Sequence, residues 1–321
     1  MSEFTIRESD ATELHRRRKN MYDTTDAYRR SFIDPATGLV EDRLTHYRPC
    51  PVCYAHAPRR MFEKNGGTYV KCGDCGMVYL NPVFKDDALV EYYKNNSSCQ
   101  ASAHESESDF YNSIYSRGLD VLSCFTEKGR LLDIGCSGGY FLDLAYQRGW
   151  KTAGVELNQA EVAIARERGH RIWDVPVEAI EFDVSFDAIT MWDVFEHIKE
   201  GTEYLHTLRK ILSPKGVVFL QIPNAWSLAA RTLHERCNMF DGIEHVNLYT
   251  PDSITSLCEK NGFKILFLET VIDESNVLGK HFDYEDPYFG DRDGGRDLSF
   301  LSGDFIQKNK LGYKMQIILG I

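Results

Sequence analysis

The chain has no excess of positive charge: 37 Lys and Arg stand against 48 Asp and Glu, a net charge of −11. Sequence-independent binding to nucleic acid needs a basic footprint, so a nucleic-acid partner is not expected. The local basic clusters, Arg16–Lys19 and Arg29–Arg30, read as solvated helix faces. No stretch approaches the roughly 18 apolar residues of a membrane span, so no membrane partner is expected either. The first ten residues, MSEFTIRESD, lack the basic start and apolar stretch of a secretory signal. A disulfide framework is missing as well. Nine cysteines are an odd number; four sit in two C-x-x-C pairs, and Cys99, Cys124, Cys136, Cys237 and Cys258 are scattered. That usage fits a reducing compartment with a metal site, and the expected location is cytoplasmic. Nothing in the pattern speaks to the oligomeric state.

What is present is ordinary globular material, 43% hydrophobic over 321 residues. That suffices for one large domain with an appendage. Residues 1–46 form a polar arm with helix-like spacing from Ala11 to Phe32, ending at the turn Pro35–Gly38. Residues 47–82 read as a separate module. Cys50-Pro-Val-Cys53 and Cys72-Gly-Asp-Cys75 bracket a hairpin with strands over Arg59–Phe62 and Thr68–Lys71 and a turn at Asn65-Gly66-Gly67. Two such knuckles bring four thiolates to one tetrahedral ion, for which zinc is the best fit, so Cys50, Cys53, Cys72 and Cys75 are the expected ligands of a structural zinc. Four thiolates leave no open position, so the ion is not expected to be catalytic. Residues 83–128 read as a helical cover or linker, with Tyr111, Tyr115 and Arg117 as candidate ligand contacts and core packing as the alternative for the tyrosines. A polar stretch runs from Asn95 to Ser108.

From residue 129 strands and helices alternate, the pattern of a doubly wound parallel α/β sheet. Its first strand, Arg130–Ile134, opens directly into a loop containing Gly135, Gly138 and Gly139, and a helix pattern begins at Tyr140. A glycine turn between strand and helix lets a ligand approach bare backbone. Glu156 ends the next strand, where an acid can accept bonds from two ribose hydroxyls. The ligand is therefore read as a nucleoside. The spacing is not the G-x-G-x-x-G of a dinucleotide site. An acid, Asp133, stands before the loop where a pyrophosphate would be repelled; a cationic ammonium suits it better.

The stretch D-I-G-C-S-G-G with the distal Glu156 resembles the class I S-adenosylmethionine-dependent methyltransferases. The likeness extends through Phe186–Ile198 with its D-V-F-E-H run, Lys210–Leu220 and Glu244–Pro251, and it covers roughly residues 129–321. It implies a Rossmann-like seven-stranded sheet whose last strand is antiparallel, with two final strands and no helix between them. It also implies S-adenosylmethionine as cofactor, held by Asp133, Gly135, Cys136, Ser137, Gly138, Gly139, Tyr140, Glu156, Leu157, Asp174, Trp192 and Asp193. The implied activity is methyl transfer to a small polar acceptor. O-methylation of a sugar, a nucleotide-linked sugar or a similar metabolite leads. C-methylation of a nucleotide-linked keto-sugar, an RNA methyltransferase and a non-enzymatic scaffold remain as alternatives. His245 and His197 are the candidate bases, with Asp193 beside them, because transfer to a hydroxyl needs a proton acceptor that works near neutrality. Asp193, Glu196 and His197 also have the spacing of a second, divalent-metal site. Residues 273–312 read as an acidic, aromatic insertion, a lid or a surface excursion.

Overall fold

The computed structural model describes residues 29–89, 108–281 and 301–321. The Arg16–Lys19 cluster, Cys99, most of the polar stretch before Ser108 and the acidic-aromatic run from Phe282 lie outside the described residues. The strands are β1 (Thr45–His46), β2 (Pro58–Lys64), β3 (Gly67–Cys72), β4 (Val78–Leu80), β5 (Val83–Phe84), β6 (Arg130–Ile134), β7 (Lys151–Val155), β8 (Ile172–Trp173), β9 (Phe186–Trp192), β10 (Leu212–Pro223), β11 (Asn247–Leu248), β12 (Lys264–Val271) and β13 (Lys314–Gly320). The helices are α1 (Ser108–Leu122), α2 (Tyr140–Gln147), α3 (Gln159–Glu167), α4 (Gly201–Ile211), α5 (Leu228–Leu233), α6 (Pro251–Lys260), α7 (Ser275–His281) and α8 (Gly303–Lys308).

Seven strands form the main sheet in the order β12-β13-β10-β9-β6-β7-β8. β10, β9, β6, β7 and β8 run parallel, and β13 is antiparallel to both its neighbours. The period-2 geometry of a strand sends successive side chains to opposite faces. Leu131, Ala188, Phe219 and Ile318 accordingly pack under α1 and α2, while their chain neighbours Leu132, Ile189, Leu220 and Ile317 pack against α4 and α6. Both faces are covered, which is why β9 and β10 read as near-continuous apolar runs. Local chemistry starts several helices. Asn158 caps α3 by accepting from Ala160 N and Glu161 N, and Thr250 and Ser253 form a capping box at α6 with Pro251 in its first turn.

Three sequence expectations change. First, β12 and β13 do have helices between them: α7 and α8 lie there, and Val277, Leu278 and Ile306 are buried against the body. The insertion therefore begins and ends as packed structure, because its apolar residues find a face to cover. Second, residues 83–128 are not helical throughout, since Val83–Phe84 pairs with Thr45–His46 before α1 begins. Third, the cysteine ribbon is not separate from the body. Its sheet has the order β11-β4-β3-β2, and β11 comes from the body. Three ribbon strands alone would leave the outer edge of β4 unpaired; β11 covers it through Asn247↔Tyr79 and Leu248↔Val78.

Candidate functional site

The glycine loop sits at the carboxyl end of β6, beside the point where strand order reverses. Gly135 and Gly139 have φ of 75° and 84°, a region that side chains resist. Both also sit against other chain segments: a Cβ on Gly135 would lie 2.5 Å from Val194 Cγ2, and one on Gly139 2.8 Å from His170 Cδ2. Ser137 N donates to Glu156 Oε2 at 2.9 Å, and Leu157 N and Asn158 N donate to Glu156 Oε1 at 2.7 and 2.8 Å. These bonds aim the strand-end acid at the loop. Burial raises the Glu156 carboxyl, and the three amides work in the opposite direction. Ser137 Oγ donates to Glu161 Oε2 at 2.7 Å. Glu161 was not anticipated; its signal was its place in the first turn of a helix capped by Asn158. Asp133 accepts a bond from Thr190 Oγ1 at 2.6 Å. Burial pushes its carboxyl up to about 8, against the pull of Thr190.

The other expected cofactor residues divide. Gly138 belongs to the loop, and Leu157 is exposed beside Glu156. Tyr140 opens α2 with the Arg168 guanidinium 4.1 Å from its ring centroid. Asp174 pairs with Arg166 at 3.4 Å near the surface. The Cys136 side chain turns into the core, so close to Gly154 that a Cβ there would lie 2.4 Å from its sulfur. Trp192 also goes into the core, with ring centroids 4.8, 5.1 and 4.6 Å from Tyr115, Phe141 and Phe219. A large apolar ring gains more from that cluster than from an open cleft. Arg117 binds Glu269 and Gln316.

The second half of the site stands at the ends of β9 and β10. Asp193 has φ of 55°, and its carboxylate accepts from Lys314 Nζ and, at 3.3 Å, from Gln221 Nε2. That ion pair draws Asp193 away from the expected triad. In its place the structure groups Glu196, His197 and His245, with one ligand atom of each within 4.8 Å of the others. The two imidazoles meet edge to face at 4.8 Å. Glu196 is fully buried, and neither carboxylate oxygen has a hydrogen-bond partner among the described residues. Burial and the Asp193 charge push Glu196 up to about 8. Burial and the neighbouring His245 push His197 down to about 3. His245 differs: burial lowers it, but Asp241 and Glu196 outweigh burial and raise it. Its Nδ1 donates to Met239 O at 2.7 Å, leaving Nε2 as the acceptor nitrogen.

Asp241 organises this loop and was missed from sequence, although Asp-Gly is a turn signal. Its Oδ1 accepts from the amides of Ile243, Glu244 and His245 at 2.9, 3.0 and 3.1 Å, and its Oδ2 pairs with Arg29 at 3.4 Å. Burial opposes ionisation, yet the His245 and Arg29 charges hold Asp241 well below the usual carboxylate range.

In the ribbon, Cys50, Cys53, Cys72 and Cys75 form one cluster with sulfurs within 4.8 Å of one another. The closest pairs, Cys50–Cys75 and Cys53–Cys72, are both at 3.5 Å. Tetrahedral zinc with bonds of about 2.3 Å needs sulfurs roughly 3.8 Å apart, so the cluster is compatible with that ion. The turn Asn65–Gly66 has φ of 48° and 82°, the two positive values of a type I′ hairpin.

A methyltransferase-domain family matches residues 109–268. Curated relatives include ubiquinone biosynthesis O-methyltransferases. That of Pseudomonas aeruginosa is 30% identical over 103 residues, 30% of this chain and 44% of the relative. That of Azoarcus sp. strain BH72 is 23% identical over 153 residues, 43% of this chain and 66% of the relative. The chain thus spans about half the length of the curated relatives it matches. Among solved structures, a SAM-dependent methyltransferase from Archaeoglobus fulgidus aligns with a TM-score of 0.46 at 20% identity, covering 64% of this chain and 92% of that one. The strand order, the glycine loop and the family match agree: residues 109–268 are a methyltransferase domain, and a four-cysteine ribbon is built onto it.

Proposed function

We propose that this chain transfers a methyl group from S-adenosylmethionine to a hydroxyl of a small polar acceptor, a sugar, nucleotide-linked sugar or similar metabolite, with His245 as the base. When bound, the cofactor supplies an electrophilic methyl on a sulfonium and leaves as S-adenosylhomocysteine. Glu156 would hold the ribose hydroxyls, the Gly135–Gly139 backbone would lie against the methionyl part, and Asp133 would face its ammonium. Supporting the role of His245 is its tie to Met239 O, which fixes the tautomer and keeps Nε2 free to take the hydroxyl proton. Asp241 and Glu196 lie where they stabilise the resulting imidazolium. Because His245 is raised above the ordinary histidine value, transfer should increase as pH climbs past neutrality.

Calorimetric titration with S-adenosylmethionine and S-adenosylhomocysteine, in wild type and Glu156→Ala, tests the cofactor half. Micromolar binding lost in the variant is expected, and no binding by folded wild type would sink the reading. Transfer of tritiated methyl to a panel of sugars, nucleotide-linked sugars and catechols tests the other half. His245→Gln should lose about 10²–10⁴-fold, the usual worth of a general base. Product analysis separates oxygen from carbon methylation.

One observation favours a variation. Glu196 and His197 Nδ1 are buried without hydrogen-bond partners among the described residues. With His245 they form a donor set for a divalent ion, which would lower the pKa of an acceptor hydroxyl. Manganese titration followed by electron paramagnetic resonance should show a bound ion in wild type that Glu196→Gln loses; identical free-ion signals in both proteins would remove this variation.

A further inference from the structure

Both acceptor-side histidines stand on loops whose backbone is held by the cysteine ribbon and the segment leading into it. The Tyr69 side chain is fully buried. Its hydroxyl accepts from the amides of Asp241 and Gly242, both at 3.1 Å, and donates to His245 O at 3.3 Å. A phenol has one donor and two acceptor positions, so this hydroxyl is used to capacity by one loop. Asn65 Nδ2 donates to Asp241 O at 3.2 Å, and Lys64 Nζ to Cys237 O at 3.1 Å. Ribbon and loop backbones touch directly: a Cβ on Gly67 would lie 2.1 Å from Gly242 O.

The His197 side is tied from the same direction. Arg48 donates to Lys199 O at 3.1 Å, and to Val246 O and Asn247 Oδ1, both at 2.9 Å. Asn247 Nδ2 in turn donates to Ile198 O at 2.6 Å and Lys199 O at 3.1 Å. One guanidinium and one amide thus join the residues just after His197 to the strand just after His245, and that strand is β11, paired to β4 of the ribbon. The cofactor loop is organised otherwise. Its bonds go to Val155, Glu156, Glu161 and Thr190, all in the body.

We propose that the ribbon is the acceptor-side wall of the active site, with Tyr69 and Arg48 as positioning residues that set His245 and His197 against each other. The ribbon then governs the proton-accepting half of the site and leaves the cofactor half alone. This rests on the reading of His245 as the base, but its consequence can be read without any acceptor.

The experiment uses the full chain labelled with ¹⁵N-histidine, with the His245 ring signals assigned by loss in His245→Gln. At a pH above its titration, long-range ¹H–¹⁵N spectra of wild type should show His245 as a single neutral tautomer protonated at Nδ1. Tyr69→Phe keeps the ring that packs on Phe62 and Phe240 and removes only the hydroxyl. It should mix or broaden the His245 tautomer while S-adenosylhomocysteine affinity by calorimetry stays within twofold and the ribbon keeps its metal. If Tyr69→Phe does not fold, Asn65→Gly takes its place. It deletes one bond to Asp241 and tolerates the positive φ, and a disturbed His245 signal is again expected. An unchanged His245 signal in the folded variant overturns the proposal, as does a loss of cofactor affinity equal to the loss of tautomer order. Should His245→Gln leave methyl transfer intact, the base assignment fails, and the tautomer result still stands or falls by itself.

Discussion

Asp133→Asn converts the electrostatics of the glycine loop into a stability measurement. Asp133 is 2% exposed, and burial, helped by the Glu156 charge, lifts its carboxyl from 3.8 to about 8 in the folded, ligand-free chain. Between those values the unfolded chain has released the proton and the folded chain keeps it. The stabilisation is therefore complete at pH below about 4 and is lost as pH rises through about 8. At 1.36 kcal/mol per pH unit the whole span is worth roughly 5–6 kcal/mol as a ceiling. Water reaching the open loop raises the effective dielectric, so about 2–4 kcal/mol is a realistic share. For a domain of this size that is roughly 5–10 °C in Tm. Asparagine has the same shape and still accepts from Thr190, but it cannot ionise. The assay is thermal unfolding of cofactor-free protein from pH 6 to 9. About half of the span from 3.8 to about 8 lies within that range, so wild type should lose about 2–5 °C more across it than Asp133→Asn, and the variant should be the more stable protein at pH 9. Glu196 and His245 titrate in both proteins and cancel in the comparison. Parallel curves would refute the reasoning. The same variant should bind S-adenosylmethionine about tenfold or more weakly, because a charge-assisted bond to the ammonium is worth roughly 1.5–3 kcal/mol.

Other perturbations follow from single contacts. Gly135→Ala combines a positive φ with a Cβ only 2.5 Å from Val194; it should cost about 2–4 kcal/mol and weaken S-adenosylhomocysteine binding at least tenfold by calorimetry. Gly118→Ala would normally favour a helix, but its Cβ would lie 2.4 Å from Trp192 Cη2. Overpacking should win, lowering stability by about 1–3 kcal/mol with altered tryptophan fluorescence. Cys72→Ser should lower the metal content by one zinc per chain in elemental analysis and destabilise the protein; unchanged metal content would remove the zinc assignment. Glu196→Gln should leave S-adenosylhomocysteine affinity within twofold while lowering methyl transfer, since Glu196 faces the histidines and not the glycine loop.

The fold was largely legible because its signals are local. The span of β9 follows directly from the apolar run Phe186–Trp192, and Asn158, Thr250 and the Asn65–Gly66 turn announce themselves by residue type. The glycine loop was legible for the same reason: a positive φ and a close backbone approach demand glycine wherever the chain folds. The acceptor side was harder. Asp193 looked like a partner of His197 by spacing, but Lys314, 121 positions away, takes its carboxylate. Trp192 ends a strand, as a ligand contact should, yet alternation turns its ring beneath α1.

The sequence by itself determined the parallel α/β pattern, the glycine loop facing Glu156, and the four-cysteine cluster, because each depends on spacing within one short stretch. Only the tertiary structure decided which groups share the second half of the site. Arg48 and Tyr69 come from the ribbon side and Asp241 and His245 from one distant loop, and the two sides meet only where β11 closes the edge of the ribbon. Their pairing is enforced by burial, since an amide or carboxylate shut away from water must find a partner wherever the fold places one. No local pattern in the chain encodes that meeting.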